Sequence, residues 1–134
     1  MTFDEAVDAM MGVFKATWDP RAAVYKDVPG SVPPQDAVLW ARASIKHATG
    51  RQGSLTGGLG TTVWERTGFV WIEVYSPVGD GLKAGRDAAQ ELVNAYQAER
   101  SGIWYRNIRM VEMGTDGAFE RFDVKADFEY RDVR

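Results

Sequence analysis

The 134-residue sequence contains no cysteine and a single histidine, His47. The absence of cysteine excludes disulfide scaffolds, thiol catalysis, iron–sulfur clusters and zinc sites built on cysteine. A single histidine excludes a metal site with several histidines, and a Ser-His-Asp triad would have to use His47. The chain therefore offers few of the residues from which common catalytic and metal centres are built.

The sequence also lacks an excess of positive charge and a long apolar run. It has 16 Lys and Arg against 19 Asp and Glu, a formal net charge of -3, whereas binding to phosphates needs a cationic surface. No apolar run approaches the roughly 18 residues of a membrane span. Acidic residues Asp4, Glu5 and Asp8 have the wrong sign for a signal peptide. We therefore expect a soluble, intracellular protein with a single domain over residues 1–134.

Two segments have the spacing of three and four residues that is typical of amphipathic helices. The first begins at a capping box of Thr2 and Glu5 and must end before Pro20, which cannot continue a helix. Its apolar positions are Phe3, Val7, Met10, Phe14 and Trp18. The second follows Asp80, a residue suited to capping, and ends at Ser101 and Gly102. Its apolar positions are Leu82, Gly85, Ala88, Ala89, Leu92, Val93 and Tyr96.

Five segments have the composition or alternation of β-strands, and they cover residues 22–28, 37–47, 61–75, 103–113 and 118–130. The last alternates most regularly, with one apolar and one charged face. The order of elements is α-β-β-(long loop)-β-α-β-β. It predicts an α+β fold in which one mostly antiparallel sheet has both helices on one face.

The long loop is predicted over residues 48–61, where five glycines fall within residues 49–60. Such a composition gives the backbone freedom that favours a mobile segment. The segment has no lysine placed as in a phosphate-binding loop, and it lacks the third glycine of a dinucleotide fingerprint. A flexible hairpin loop is therefore the favoured interpretation.

Two groups of side chains give weak catalytic signals. A general base at His47 would need an orienting carboxylate and a nucleophile, which the sequence does not specify. On the last strand, acids and bases share one face, which is typical of a solvated surface. These residues are Arg121, Asp123, Lys125, Asp127, Glu129 and Arg131. We predict that the protein is not an enzyme and uses no metal or cofactor.

Aromatic residues carry more information, because the chain has five tryptophans and tryptophan is enriched at interfaces as well as in cores. Phe69 and Trp71 alternate with Val70 and Ile72, so they lie on the opposite face of their strand. If the helices cover the face of Val70, the other face is left for a partner. We assign Trp64, Phe69 and Trp71 to a candidate subunit interface.

Several short motifs occur in a characteristic order along the chain. They are Tyr-x-x-Val-Pro at residues 25–29, Trp-x-Arg at 40–42, the glycine-rich loop, Ser-Pro-x-Gly-x-Gly at 76–81, Gly-Ile at 102–103, Gly-x-Asp-Gly at 114–117 and Phe-x-Val-x-Ala-x-Phe-x-Tyr at 122–130. In this combination the chain resembles, almost end to end, the tail-terminator proteins of phages with long, non-contractile tails.

The resemblance implies a structural role in the virion rather than catalysis. Members of that family form a homohexameric ring that caps the tail tube, stops its polymerisation and provides the docking surface for the neck. DNA passes through the lumen without specific binding, and no membrane is involved. Assembly takes place in the bacterial cytoplasm. On this hypothesis the glycine-rich loop contacts the major tail tube protein or lines the pore, through Arg51, Gln52, Ser54, Leu55 and Leu59.

Three alternatives remain open at the level of sequence. The first is a different neck component, such as a head-closure or tail-completion protein. The second is a module that binds a small molecule or peptide on the strand between Trp64 and Trp71, with the glycine-rich loop as a lid. The third is an enzyme built around His47.

Overall fold

The computed structural model describes residues 1–25, 33, 38–52, 63–79, 81–100 and 102–133. Seven elements follow one another along these residues. They are α1 (Phe3–Trp18), β1 (Ala22–Tyr25), β2 (Trp40–Gln52), β3 (Val63–Pro77), α2 (Lys83–Ala98), β4 (Trp104–Asp116) and β5 (Phe119–Val133). The predicted α+β class and order of elements are confirmed.

The strands form one sheet in the order β1-β2-β3-β5-β4. The short β1 pairs in parallel with the start of β2, and every other neighbouring pair is antiparallel. The β2–β3 and β4–β5 hairpins are joined through α2, and β3 and β5 meet at the centre of the sheet. The two central strands therefore bring together residues about fifty positions apart in the sequence, such as Ile72 and Val124.

Both helices pack on the same face of the sheet. Alternation along the strands turns one set of side chains toward them, and this set is aliphatic or aromatic on each strand. It includes Ala41, Ala43, Val70, Ile72, Val74, Phe122, Val124, Ala126, Phe128 and Tyr130. The helices contribute the rest of the core, chiefly Met10, Phe14 and Trp18 from α1 and Leu92 and Tyr96 from α2. The Tyr96 hydroxyl donates to the Met10 carbonyl at 2.9 Å and joins the two helices.

Local signals at the ends of α1 behave as predicted. The Glu5 amide donates to Thr2 Oγ1 at 3.2 Å, and the Thr2 hydroxyl donates to Glu5 Oε1 at 3.1 Å. The helix ends at Trp18, two residues before Pro20. Helix α2 begins at Lys83 after Leu82, which makes no side-chain capping bond, and Asp80 lies outside the described residues. Neither of these two helices is long and apolar enough to cross a membrane.

The predicted loop over residues 48–61 is too long at its N-terminal end. Strand β2 continues to Gln52, with Thr49, Gly50 and Arg51 paired to residues of β3. Pairing with a long neighbouring strand overrides the weak strand propensity of Gly50, because every backbone donor and acceptor so paired is satisfied. A register shift between His47 and Thr49 absorbs one extra residue at this point. Residues 53–62 lie outside the described part of the chain.

Gly68 is the position where β3 requires the absence of a side chain. Its register partners are His47 on β2 and Phe128 on β5. A Cβ atom at Gly68 would collide with the carbonyl oxygen of Lys46 and would lie 2.7 Å from the Phe128 ring. The first of these neighbours is backbone, which cannot move aside without disturbing the pairing of β2 with β3.

Replacement of this glycine tests the close approach. We expect Gly68→Ala to lower the free energy of unfolding by about 2–3 kcal/mol, because overpacking forces the strands apart. Gly12→Ala is the matched control, since Gly12 lies in α1 with nothing within 4 Å of an added Cβ. It should raise stability by about 0.5–1 kcal/mol through helix propensity. Urea unfolding measures the free energy of unfolding of both variants. Equal changes in the two variants would contradict the close approach of β2 and β3 at Gly68.

Candidate functional site

The face of the sheet opposite the helices is the candidate site, and we call it the open face. No helix of the described part of the chain covers it. Strand register defines its members, which are the residues that alternate with the core positions. They are Trp40, Arg42, Ser44 and Lys46 of β2; Glu65, Thr67, Phe69, Trp71, Glu73 and Tyr75 of β3; Trp104, Arg106, Arg109 and Val111 of β4; and Arg121, Asp123, Lys125, Asp127, Glu129 and Arg131 of β5.

A fully bonded carboxylate lies near the centre of this face. Arg121 donates from Nε to Asp123 Oδ1 at 2.8 Å and from Nη2 to Oδ2 at 3.0 Å. The indole N–H of Trp71 donates to the same Oδ2 at 3.1 Å. Asp123 is only 1% exposed. A buried charge of this kind is tolerated because it is paired in bidentate geometry and hydrogen-bonded as well.

A second buried acid, Glu73, lies beside the first. The Tyr75 hydroxyl donates to Glu73 Oε2 at 2.6 Å. Two guanidinium groups flank the carboxylate, with Arg42 Nη1 at 3.6 Å and Arg121 Nη2 at 3.8 Å. Burial, and next the bond to Glu73, raise the pKa of Tyr75 to about 12. The bond to Asp123 is the main cause that raises the pKa of Arg121 above its usual value. Two buried acids and two arginines thus form a preformed cluster, and the exposed Asp116 lies 3.9 Å from Arg121 at its edge.

Aromatic rings close one end of the open face. Trp40 stacks on Tyr75 with ring centroids 4.3 Å apart and planes 10° from parallel. Phe119 meets both rings edge-on, at 6.1 and 6.2 Å. Trp40 and Tyr75 are buried together with Val24 of β1. This end of the face is a small second core, so it offers little free surface.

The other end combines aromatic rings with cations and is much more exposed. Lys125 lies over Trp71 at 5.2 Å, and Arg131 lies over Trp104 at 5.5 Å. Trp104 is 50% exposed. Val111, further along β4 and opposite Asp123, is also exposed. A shallow cleft of about 310 Å³ beside Phe69 runs between β3 and β5. Tryptophan and arginine with partly exposed apolar area are typical of protein interfaces.

The predicted interface residues are distributed over both faces of the sheet. Phe69 and Trp71 lie on the open face. Trp64 does not, because it alternates with them and lies opposite Gln52 and Asp132. Arg51 and Gln52 are the last residues of β2, and only their backbone pairing is described. Ser54, Leu55 and Leu59 lie outside the described residues, so their proposed contact with the tail tube stays a prediction.

His47 lies on the covered face, within β2 rather than at its end. Its Nε2 atom lies 2.7 Å from the Tyr130 hydroxyl, and Phe3 stacks on its ring at 4.3 Å. The group that faces His47 Nε2 is therefore a phenol rather than the carboxylate that would orient a general base. Among the residues that the structure describes, no group of three or more His, Cys, Asp or Glu side chains could hold a metal ion.

The interpretation of the charged strand face as a solvated surface is wrong at Asp123. The structure buries this carboxylate beneath Arg121 and Trp71. Alternation places Asp123 on the correct face, but its burial depends on β3, a strand fifty residues earlier. A local signal existed in the spacing of Arg121 and Asp123, two residues apart on one face of a strand.

Comparison with known proteins places the fold but gives no family. No protein-family model and no curated protein matches the chain. A solved structure of a protein whose name states no function is similar, with a TM-score of 0.63 and 17% identity over 96% of this chain and 95% of that chain. At that identity the similarity shows a shared fold alone.

The central charge cluster makes a stability prediction. We expect Arg121→Met to lower the free energy of unfolding by about 3 kcal/mol or more, because it leaves Asp123 buried without its counter-ion. Arg86→Met is the matched control: Arg86 pairs with Glu112 at 3.0 Å, but both side chains are about half exposed. That loss should stay below about 1 kcal/mol. Chemical denaturation of both variants measures the difference, and equal losses would show that Asp123 does not depend on Arg121.

His47 makes a prediction about pH. Burial, and next the positive charge of Arg66, lower the pKa of His47 below its usual 6.5. The unfolded chain therefore takes up this proton more readily than the folded one, so the stabilisation is complete above pH 6.5 and is lost as the pH falls through the folded pKa. We expect the unfolding free energy of the wild type to fall more steeply below pH 6.5 than that of His47→Gln. Parallel pH profiles would contradict the environment described for His47.

Proposed function

We propose that this protein is a structural subunit of a phage virion, which forms a ring that caps the tail tube, stops its polymerisation and docks the neck. The observation that carries the proposal is the one-sided sheet. Its helices cover one face, while the open face presents exposed Trp104 and Val111 beside cations. Exposed apolar side chains beside cations are typical of surfaces that bind another protein, and an assembly protein has such surfaces.

Charge supports the same role. Six copies at -3 each carry a formal charge of -18. A ring of this sign gives DNA no counterion-release incentive to bind, so DNA passes through the lumen without adhering to it. The proposed partners are a second copy of the chain, the major tail tube protein and a neck protein. The proposed location is the tail end of the virion, after assembly in the host cytoplasm.

The ordered sequence motifs are the reason for proposing a phage tail rather than another assembly, because they carry the resemblance to tail-terminator proteins. They extend from Tyr25 to Tyr130 and so cover most of the chain. A head-closure or tail-completion protein of the neck is the nearest alternative, because such proteins also have small α+β folds and form rings. The two roles differ in what happens to the tail tube when the protein is missing.

A second candidate function, a small-molecule binding module, is favoured by one cleft. It has a volume of about 440 Å³ and lies between the end of α2 and the start of β4, within the size range of ligand pockets. Tyr96, Trp104 and Tyr105 contribute aromatic walls. The Tyr105 hydroxyl is buried there and has no hydrogen-bond partner in the described part of the chain.

Electron microscopy of a lysate from a phage that lacks this gene tests the proposal. We expect headless tails of uncontrolled length beside free, filled heads, because nothing stops the tube or joins it to the head. Expression of the wild-type gene from a plasmid is the control and should restore joined particles. Tails of normal length that fail to join heads would indicate the neck role instead. Intact infectious particles would overturn both assembly roles.

A further inference from the structure

The exposed half of the open face has an excess of positive charge that the whole chain does not. It carries five cationic side chains, namely Lys46, Arg106, Arg109, Lys125 and Arg131, against the acids Glu65, Asp127 and Glu129. The difference of five and three is a formal charge of +2, on a chain whose total is -3. The rest of the molecule is therefore acidic, and this half-face is its most distinct electrostatic feature.

Three of these cations are available to a partner. Arg106 pairs with Glu129 at 2.8 Å, and Arg109 lies 3.9 Å from Asp127. Lys46, Lys125 and Arg131, by contrast, have no acidic group within 4.0 Å among the described residues. The last two lie over tryptophan rings instead. A lysine over the half-buried Trp71 and an arginine over the exposed Trp104 offer charge and apolar area together. This combination suits a partner that has acidic and apolar side chains side by side.

The chain itself presents such a surface at the start of α1. Asp4, Glu5 and Asp8 are all exposed, and no lysine or arginine pairs with them among the residues that the structure describes. Two apolar side chains accompany them, since Met1 and Phe3 are also exposed. This set, which we call the acidic turn, is complementary to the exposed half of the open face in both charge and polarity.

The two surfaces lie on opposite faces of the sheet and approach each other at one edge, where the Met1 amine donates to the Arg131 backbone carbonyl at 3.3 Å. Helix α1 packs on the covered face, whereas the cations project from the open face. A contact between them across two copies is therefore head-to-tail, and each copy uses both surfaces once. Head-to-tail contacts generate a ring when the rotation closes.

We propose that the acidic turn of one copy docks on the exposed half of the open face of the next copy, over Trp71 and Trp104. This contact is the subunit interface of the ring, and in that respect it rests on the proposed function. Opposite charges steer the two copies into this register, while like charges prevent either surface from pairing with itself. The central cluster lies beside the contact and orients Trp71, whose indole N–H donates to Asp123.

Site-specific cross-linking tests the contact in purified protein rather than in assembled phage. Because the chain has no cysteine, the variant Asp8→Cys with Lys125→Cys contains only the two introduced thiols. On mild oxidation of concentrated protein, in the presence of tail tubes and without them, we expect a ladder of covalent oligomers on a denaturing gel. The matched control joins Asp8→Cys to Lys83→Cys, which puts the second thiol on the exposed start of α2. A ladder with the control but not with the test pair would overturn the proposal, as would no ladder from either.

Charge reversal tests the same contact in the assembled phage. The variant Asp4→Lys with Asp8→Lys and the variant Lys46→Glu with Lys125→Glu should each lower plaque formation about tenfold or more, because like charges then face each other. A chain carrying all four substitutions should recover, since the two surfaces are complementary again. Thermal melting checks that each variant folds. Failure of the fourfold variant to recover, or full infectivity of both twofold variants, would overturn the interface.

These two experiments separate the interface from the proposed function. If the cross-linked ladder forms but deletion of the gene leaves tails intact, the contact between copies is supported and the role in the tail is overturned. If the deletion gives tails of uncontrolled length but neither the ladder nor the recovery of the fourfold variant is seen, the role in the tail is supported and the contact is overturned. Binding of a DNA oligonucleotide that is lost in Lys46→Glu with Lys125→Glu, without a ladder, would reassign the surface to nucleic acid and overturn the contact.

Discussion

Both helices pack on one face of a single sheet, and this one-sided burial is the constraint on which the rest of the structure depends. The apolar set of Val70, Ile72, Val74 and their neighbours on β5 removes one face of the central strands from water. The same strands must then stabilise the other face with their own side chains. They do so through a carboxylate at Asp123 that receives three hydrogen bonds, from Arg121 and Trp71.

The open face consequently changes in character along its length. At one end Trp40, Tyr75 and Phe119 form a closed aromatic cluster, and in the middle two acids balance two arginines. Toward the other end Lys125 lies over Trp71 and Arg131 lies over Trp104. In the aromatic and central clusters the side chains contact or pair with one another within the chain. At the exposed end, cationic and apolar side chains are accessible to a partner. This gradient is the physical basis for placing a subunit contact at the exposed end.

Much of this architecture was predictable from local patterns. Alternation of Phe69 and Trp71 with Val70 and Ile72 predicts which residues share the open face, and the Thr2–Glu5 capping box predicts where α1 begins. Burial of Asp123 was not predictable, because it depends on Trp71 of a strand distant in sequence. The extension of β2 through Gly50 is not predictable for the same reason, because pairing with β3 rather than the strand propensity of Gly50 decides it. Trp64 lies on the same strand as Phe69 and Trp71, but the period of two puts it on the other face.

The contact between copies is the central claim, and a cryo-electron microscopy reconstruction of the tail end of assembled particles tests it most directly. The expected result is a ring in which Trp71 and Trp104 of each copy are buried against the acidic turn of its neighbour, with Asp8 within ion-pair distance of Lys125 or Lys46. A ring in which the exposed half of the open face lines the lumen or faces solvent would contradict the claim. So would particles in which this protein forms no ring.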